Sequence, residues 1–171
     1  MGIRRVVTGH TPDGKATVVS DTLVEGVTGR PVNMLWGSEE TVTFPDNGSP
    51  TAFSPTDFPS VGGFRFGVFT VQPQSNTPQA ISEREEAWKK TAEHPGKHFH
   101  PEPDNPGMHT TDTIDFEYVI SGEIWLELDD GEEVHLKAGD TVIQNGTRHA
   151  WRNKGTEPCQ VVVCIIGAHR K

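Results

Sequence analysis

From residue 113 to residue 166 the chain consists of short alternating segments separated by turn residues, and that pattern constrains its fold more than any other. Ile114, Phe116, Tyr118 and Ile120 alternate with Asp115, Glu117 and Val119; Ile124, Leu126 and Leu128 alternate with Trp125, Glu127 and Asp129. A period of two belongs to a strand whose two faces meet different surroundings. Asp130-Gly131 turns the chain, residues 134–137 return, and Ala138-Gly139-Asp140 turns it again. Residues 141–144 and 150–152 follow, and residues 160–166 are a nearly continuous apolar run of the kind found in a central strand. Short strands with turns at regular spacing predict an all-β sandwich or barrel.

Certain residues punctuate this block at recurring intervals. His109, Thr111 and Asp115 lead to a closing Gly122; Gly139 leads through Asn145-Gly146 to His149, and Asn153 stands four residues after it. The two sets resemble the two-part signature of the cupin superfamily. Its first part has a His-x-His pair, a Glu and a closing Gly, and its second a Gly, a short turn, a His and an Asn. Here the first part reads His109-x-Thr111 and then Asp115, and the second has Asn145-Gly146 where a Pro-containing turn is usual, with one residue fewer before the His. The resemblance covers residues 106–153. It implies a cupin double-stranded β-helix, a jelly-roll barrel with extra N-terminal strands and one short surface helix. It also implies a homodimer and a metal motif that is degenerate, because two of the four usual ligands are changed.

What remains of that motif is a two-histidine, one-carboxylate set: His109, Asp115 and His149. Such a set suits Fe(II) with open positions, and also Zn, Mn, Ni or Co. If Asp115 points into the barrel, Glu117 points in with it, as a fourth ligand or a base. Two carboxylates in an apolar barrel cannot both stay charged at no cost, so at least one pKa rises unless a cation or donor sits between them. A metal-free site is the other reading, with His149 and the carboxylates Glu117 and Asp115 as catalytic acid and base, tuned toward neutrality by burial and pairing. Trp151 alternates with His149 and is expected in the pocket wall, with Gln144, Thr111 and Tyr118 as further substrate contacts; Thr147 is an alternative donor.

The remainder reads as support for the barrel. One domain spans 1–171, with N-terminal strands and loop over 1–72 and a barrel core over 106–167. Residues 3–8 and 16–20 form a hairpin around Thr11-Pro12-Asp13-Gly14, His10 caps a backbone group, and residues 32–36 are a short strand. Residues 43–63 are a loop dense in Pro, Gly, Ser and Asp, whose Phe44, Phe53 and Phe58 anchor it on the barrel or lid a pocket. A strand over 64–71 places Phe64, Phe66, Val68 and Thr70 on one side and Arg65, Gly67, Phe69 and Val71 on the other. A surface helix over 82–94 starts at Ser82, with Glu85 completing a capping box and Trp88 on its narrow apolar face.

His98-Phe99-His100 has the His-x-His spelling but not the rest of the motif, and Pro101, Pro103 and Pro106 argue against a strand there. That segment reads as a mobile lid over the barrel mouth. Cys159 and Cys164 lie on opposite faces of one strand and read as reduced core thiols, and the final His169-Arg170-Lys171 as a frayed end.

With 24 acidic against 15 basic residues the net charge is -9, which argues against nucleic acid or an anionic membrane as partner. No helix-turn-helix accompanies the barrel, and the N-terminus offers no apolar stretch for a signal or membrane span, so a cytoplasmic protein is expected. These features point to an enzyme acting on a small oxygenated or polyketide-like metabolite by lyase, isomerase, cyclase or dehydratase chemistry. A metal-dependent dioxygenase and a non-catalytic ligand-binding cupin are the alternatives.

Overall fold

A computed structural model describes residues 2–25, 32–50, 54 and 57–171. The expected jelly roll is present, built from twelve strands and one α-helix among the described residues. One wall is a five-stranded sheet. Its members are β3 (Val32–Ser38), β4 (Phe64–Val71), β7 (Thr113–Ser121), β10 (Thr141–Gln144) and β12 (Cys159–Gly167), in the order β10-β7-β12-β4-β3. The facing wall is a three-stranded sheet, β11-β8-β9, from β8 (Glu123–Glu127), β9 (Glu133–Lys137) and β11 (Ala150–Arg152). A small ribbon of β5 (Phe99–Pro101) and β6 (His109–Thr111) joins it through an isolated bridge between His109 and His149.

The alternation read from the sequence survives position by position. Along β7, Thr113, Asp115, Glu117 and Val119 are buried and Phe116, Tyr118 and Ile120 are exposed. The registers align successive inward residues in rows across the five-stranded sheet. Val119, Val161 and Phe69 make one row; Glu117, Val163 and Gly67 the next; Asp115, Ile165 and Arg65 the third. The first row closes over Ile124, Leu126, Leu136 and Cys159 into the hydrophobic core, where each fully buried large aliphatic side chain contributes roughly 1.5–3 kcal/mol. The next two rows carry charge and a missing side chain, and there the walls part.

Two motif residues hold this geometry. Gly122 turns β7 into β8 with φ 75°, and a Cβ there would stand 2.6 Å from the Pro158 carbonyl oxygen, so no other residue fits. Asn153 is fully buried, donating from Nδ2 to the carbonyls of Val71 and Glu157 at 2.8 Å and accepting from the Gly155 amide at 3.0 Å. Its place in the motif is structural: one side chain ties the end of β11 to the end of β4.

Several expectations change. The helix α1 spans Pro78–Glu93, not 82–94; Thr77 is its N-cap, accepting from the Ala80 amide, and Pro78 opens its first turn. Thr-Pro is the stronger start signal because proline lacks the amide that a first turn cannot satisfy. β5 is a strand despite Pro101, since that proline pairs at the end of an edge ribbon. The segment is pinned as well: Asp112 accepts from His98 Nδ1 at 3.2 Å, His100 Nε2 at 3.0 Å and Arg170 Nε at 2.5 Å. Arg170 also reaches the Thr111 carbonyl at 2.5 Å, so the C-terminus is fastened to the barrel and not frayed. Cys159 is a core thiol, whereas Cys164 lies on the partly exposed outer face.

The N-terminal hairpin, β1 (Ile3–His10) with β2 (Ala16–Val24), is longer than the sequence suggested, and His10 Nδ1 meets the backbone of Asp46 as expected. Phe58 lines the cavity described below, while Phe44 is 72% exposed and Phe53 lies outside the described residues. No helix among the described residues is long and apolar enough to cross a membrane.

Candidate functional site

Where the two walls part, a cavity of about 550 Å³ opens, a volume that suits a small organic ligand. Its floor is the five-stranded sheet: Arg65, Phe69, Asp115, Glu117, Val163 and Ile165. Gly67 leaves the middle row open, and the glycine is required, because a Cβ would stand 2.8 Å from the Asn33 carbonyl oxygen. His109, His149 and Trp151 face the floor from the opposite wall, and Phe58, Phe99, Thr91, His94 and Gly96 surround the mouth. Phe58 and Phe99 stack there with centroids 5.5 Å apart. Trp88 anchors α1 beside them, donating from its indole to the Glu102 carbonyl at 2.6 Å.

The two histidines are a matched pair. Their backbones exchange hydrogen bonds of 3.0 and 2.9 Å, and their ring centroids are 4.3 Å apart. Each Nδ1 lies 2.9 Å from a backbone carbonyl, that of Gly107 for His109 and of Thr147 for His149. A carbonyl only accepts, so each Nδ1 carries the proton and each Nε2 presents a bare lone pair. Burial lowers the pKa of His109, and burial together with the neighbouring His109 brings His149 down to about 3. Both imidazoles are therefore neutral at pH 7.

The carboxyls behave in the opposite sense. Burial raises Asp115 to about 6, and burial plus the Asp115 charge raises Glu117 to about 8. Near neutrality the two hold one proton between them, as coupled buried carboxyls do. Asp115 Oδ1 and Glu117 Oε2 are buried and have no hydrogen-bond partner among the described residues. Unsatisfied acceptors of this kind are costly, and they persist where a ligand or a reaction makes use of them.

Of the residues singled out in the sequence, His109, Asp115, Glu117, His149 and Trp151 line one cavity. Histidine and carboxylate were expected to be tuned toward neutrality together. The carboxyls are, but the histidines are driven away from it, because burial disfavours the charged imidazole and, at His149, the neighbouring His109 lowers it further. Thr111 is buried beside the cavity, accepting from the Thr113 hydroxyl at 2.8 Å, and Gln144 is buried next to Asp115 with its Oε1 taken by Thr147. Tyr118 points to the outer face and is 46% exposed, so it is no substrate contact; its parity against Asp115 already excluded it.

Arg65 was missed as a site residue. It is fully buried, donates from Nη1 to the carbonyls of Ser38 and Phe64 at 2.9 Å, and pairs through Nη2 with Glu39. Its place on the inward side of β4, with Phe69 and Val71, was the signal that could have found it.

The donor set of His109, Asp115, His149 and Glu117 is chemically suited to a divalent metal, and bare Nε2 atoms with anchored Nδ1–H groups are what metal-bound imidazoles require. The spacing does not fit. Among the described residues no group of three or more His, Cys, Asp or Glu side chains is arranged to hold a metal ion.

Comparison with known proteins gives a consistent picture. Residues 94–166 match the family described as "Cupin domain". The chain is 53% identical over 47 residues to the Phomopsin biosynthesis cluster protein D of Diaporthe leptostromiformis, a stretch covering 28% of this chain and 25% of that protein. It is 50% identical over 48 residues to the Oryzines biosynthesis cluster protein J of Aspergillus oryzae, covering 28% and 27%. It is 38% identical over 62 residues to a cupin-domain-containing oxidoreductase of Hypocrea virens, covering 34% and 32%. The matches thus span about a quarter to a third of the length of these relatives.

Proposed function

We propose, on the premise that this chain belongs to the cupin superfamily through residues 94–166, that it is an enzyme of secondary metabolism performing acid–base chemistry on a small organic molecule. The observation that carries the reading is the pair of buried carboxyls, Asp115 and Glu117, side by side on the floor of an apolar cavity, where burial raises Asp115 to about 6 and Glu117 to about 8. Two acids pushed apart around neutrality are equipped for opposite roles. The Asp115 carboxylate takes a proton from a carbon beside a carbonyl while Glu117 gives its own to the carbonyl oxygen. The proton count of the pair is conserved and no co-reactant is needed, which suits isomerisation, or loss of water when the leaving hydroxyl is the group protonated. His109 and His149, neutral and bare at Nε2, hold substrate donors; Trp151, Phe69 and Phe99 hold its apolar body.

The similarity to secondary-metabolite cluster proteins supports the substrate class. The test is exchange of α-protons in D2O, followed by NMR on small ketones. Exchange that is catalysed by the protein and lost in Glu117→Gln supports the reading; equal exchange by protein and variant refutes it.

Similarity to cupin-domain oxidoreductases favours a metal-dependent oxidoreductase as the second reading. Metal content by mass spectrometry decides it: a stoichiometric redox metal that disappears in His149→Ala supports this alternative.

We propose further that a second copy of the chain covers the outer face of the five-stranded sheet. Phe66, Phe116, Tyr118, Ile120, Ile143 and Ile166 are between 38% and 52% exposed there, leaving on the order of 500 Å² of apolar surface in water. That is more than half of what each partner of a stable pair buries, about 800 Å². The outward positions of β7 and β12 carry no Asp, Glu, Lys or Arg. Two copies of a chain with net charge -9 can therefore approach on this face without opposing like charges.

A further inference from the structure

Most of the polar atoms in and beside the cavity that lack a partner among the described residues are acceptors; the donors beside them are the one proton shared by Asp115 and Glu117 and the Gln144 Nε2 next to Asp115. His109 Nε2 and His149 Nε2 are bare acceptors; Asp115 Oδ1 and Glu117 Oε2 are buried acceptors without a partner. The cation in the floor, Arg65, directs its guanidinium at Ser38, Phe64 and Glu39. Around these acceptors the walls are aromatic. Trp151 meets His149 edge-on with centroids 6.0 Å apart and lies 6.0 Å from Phe69, and Phe99 lies 4.9 Å from His109.

A cavity whose acceptors outnumber its donors, and whose carboxyl pair keeps one negative charge near neutrality, selects its ligand by charge. Carboxylates and phosphates bring more acceptors and a like charge. A hydroxyl brings one proton for several lone pairs. A protonated amine brings up to three N–H donors and a positive charge, which aromatic faces favour as well. A divalent metal would supply the same charge, but no three donor side chains are arranged to ligate one.

We infer that the ligand carries an organic ammonium group, held by the bare Nε2 atoms of His109 and His149 and balanced by the Asp115–Glu117 pair, with its carbon framework on the aromatic walls. Resting on the acid–base reading above, this names the substrate as an amino-carbonyl compound: the ammonium sits at the imidazoles and the reacting carbonyl faces the carboxyls.

The experiment is calorimetric titration of the chelator-treated full chain with benzylamine, benzyl alcohol and benzoate, three ligands of one shape and different charge. Benzylamine is expected to bind about tenfold more tightly than benzyl alcohol, the scale of one desolvated cation–aromatic contact, and benzoate not measurably. Asp115→Asn is expected to abolish the preference for the amine while keeping binding of the alcohol, which also shows that the variant is folded. If the alcohol or benzoate binds as tightly as the amine, if none of the three binds, or if the preference survives in Asp115→Asn, the inference is overturned.

α-Proton exchange separates it from the reading on which it rests. Exchange in acetophenone as fast as in α-aminoacetophenone overturns the ammonium site and leaves the acid–base reading. Tight amine binding with exchange in neither ketone overturns the acid–base reading and leaves the ammonium site.

Discussion

The two faces of the five-stranded sheet invert the usual rule in opposite directions. The inner face, which ought to be apolar, presents Arg65, Asp115 and Glu117; the outer face, which ought to be polar, presents Phe66, Phe116, Tyr118, Ile120 and Ile143. Each inversion costs stability in the isolated chain, through buried polar groups on one side and hydrated apolar surface on the other. Positions that break the binary pattern without local compensation are where a sequence serves something other than its own folding. On the proposals above, the inner inversion serves a ligand and the outer one a second copy of the chain. The two inversions share strands, so substitutions at neighbouring positions of β7 can test them separately.

The largest effect is expected on the inner face. Glu117→Gln should lower catalysed α-proton exchange by about 10²–10⁴-fold, the usual worth of a positioned acid or base. Thermal unfolding near pH 7 should hold steady or rise, because a neutral amide replaces a buried carboxyl that titrates at a cost. A loss of both activity and stability would mean that Glu117 is structural, and the inner face would no longer count as functional.

On the outer face, Phe116→Asp should dissociate the pair of chains, raising the dissociation constant by about 10²-fold or more if Phe116 is a central aromatic anchor. Sedimentation velocity reads the change directly. Phe116 lies between Asp115 and Glu117 in sequence but on the other side of the sheet, so exchange activity should be retained in the same variant. A wild-type chain that sediments as a monomer at all concentrations would remove the partner from the outer face and leave the comparison with one explained side.

The pH dependence of stability sharpens the inner face further. Asp115 and Glu117 have folded pKa values of about 6 and 8, above their unfolded values. The folded state therefore binds more protons between roughly pH 4 and 8, and their contribution is full below that window and lost as pH rises through it. His149, lowered to about 3, has the opposite sign: the unfolded state binds the extra proton, and stability falls as pH drops from about 6.5 toward 3. Stability should thus peak in mildly acidic solution. Asp115→Asn with Glu117→Gln should flatten the alkaline limb alone, as measured by chemical unfolding across pH. An unchanged limb would show that the two carboxyls are not held protonated.

How much of this could be read from the chain follows from the same contrast. Strand parity is a local property, so β7, β8 and the inward turn of Asp115 and Glu117 were legible, as was the apolar run of β12. His109 and His149 stand forty residues apart, and their meeting was legible only through the resemblance of the spacing. What could not be read depends on distant groups. Nothing near His149 in the sequence says that its ring is buried against His109, or that Arg65 turns toward Glu39. The His98–His100 pair was read as loose because its anchor, Asp112, is itself held by Arg170 from the far end of the chain.

Helix α1 belongs to neither face, and the smallest effect is expected there. It buries no residue fully, and its attachment at the mouth runs through Trp88 on the Glu102 carbonyl and Phe99. Thr77→Ala removes the cap from the Ala80 amide and should cost about 1 kcal/mol. Because the helix has no share in the core, that cost should appear in local opening and not in global unfolding: faster amide exchange in residues 78–93, with the unfolding midpoint nearly unmoved. If amide exchange in β7 and β12 accelerates in step with the helix, α1 is part of the cooperative barrel, and the cavity mouth is as rigid as its floor.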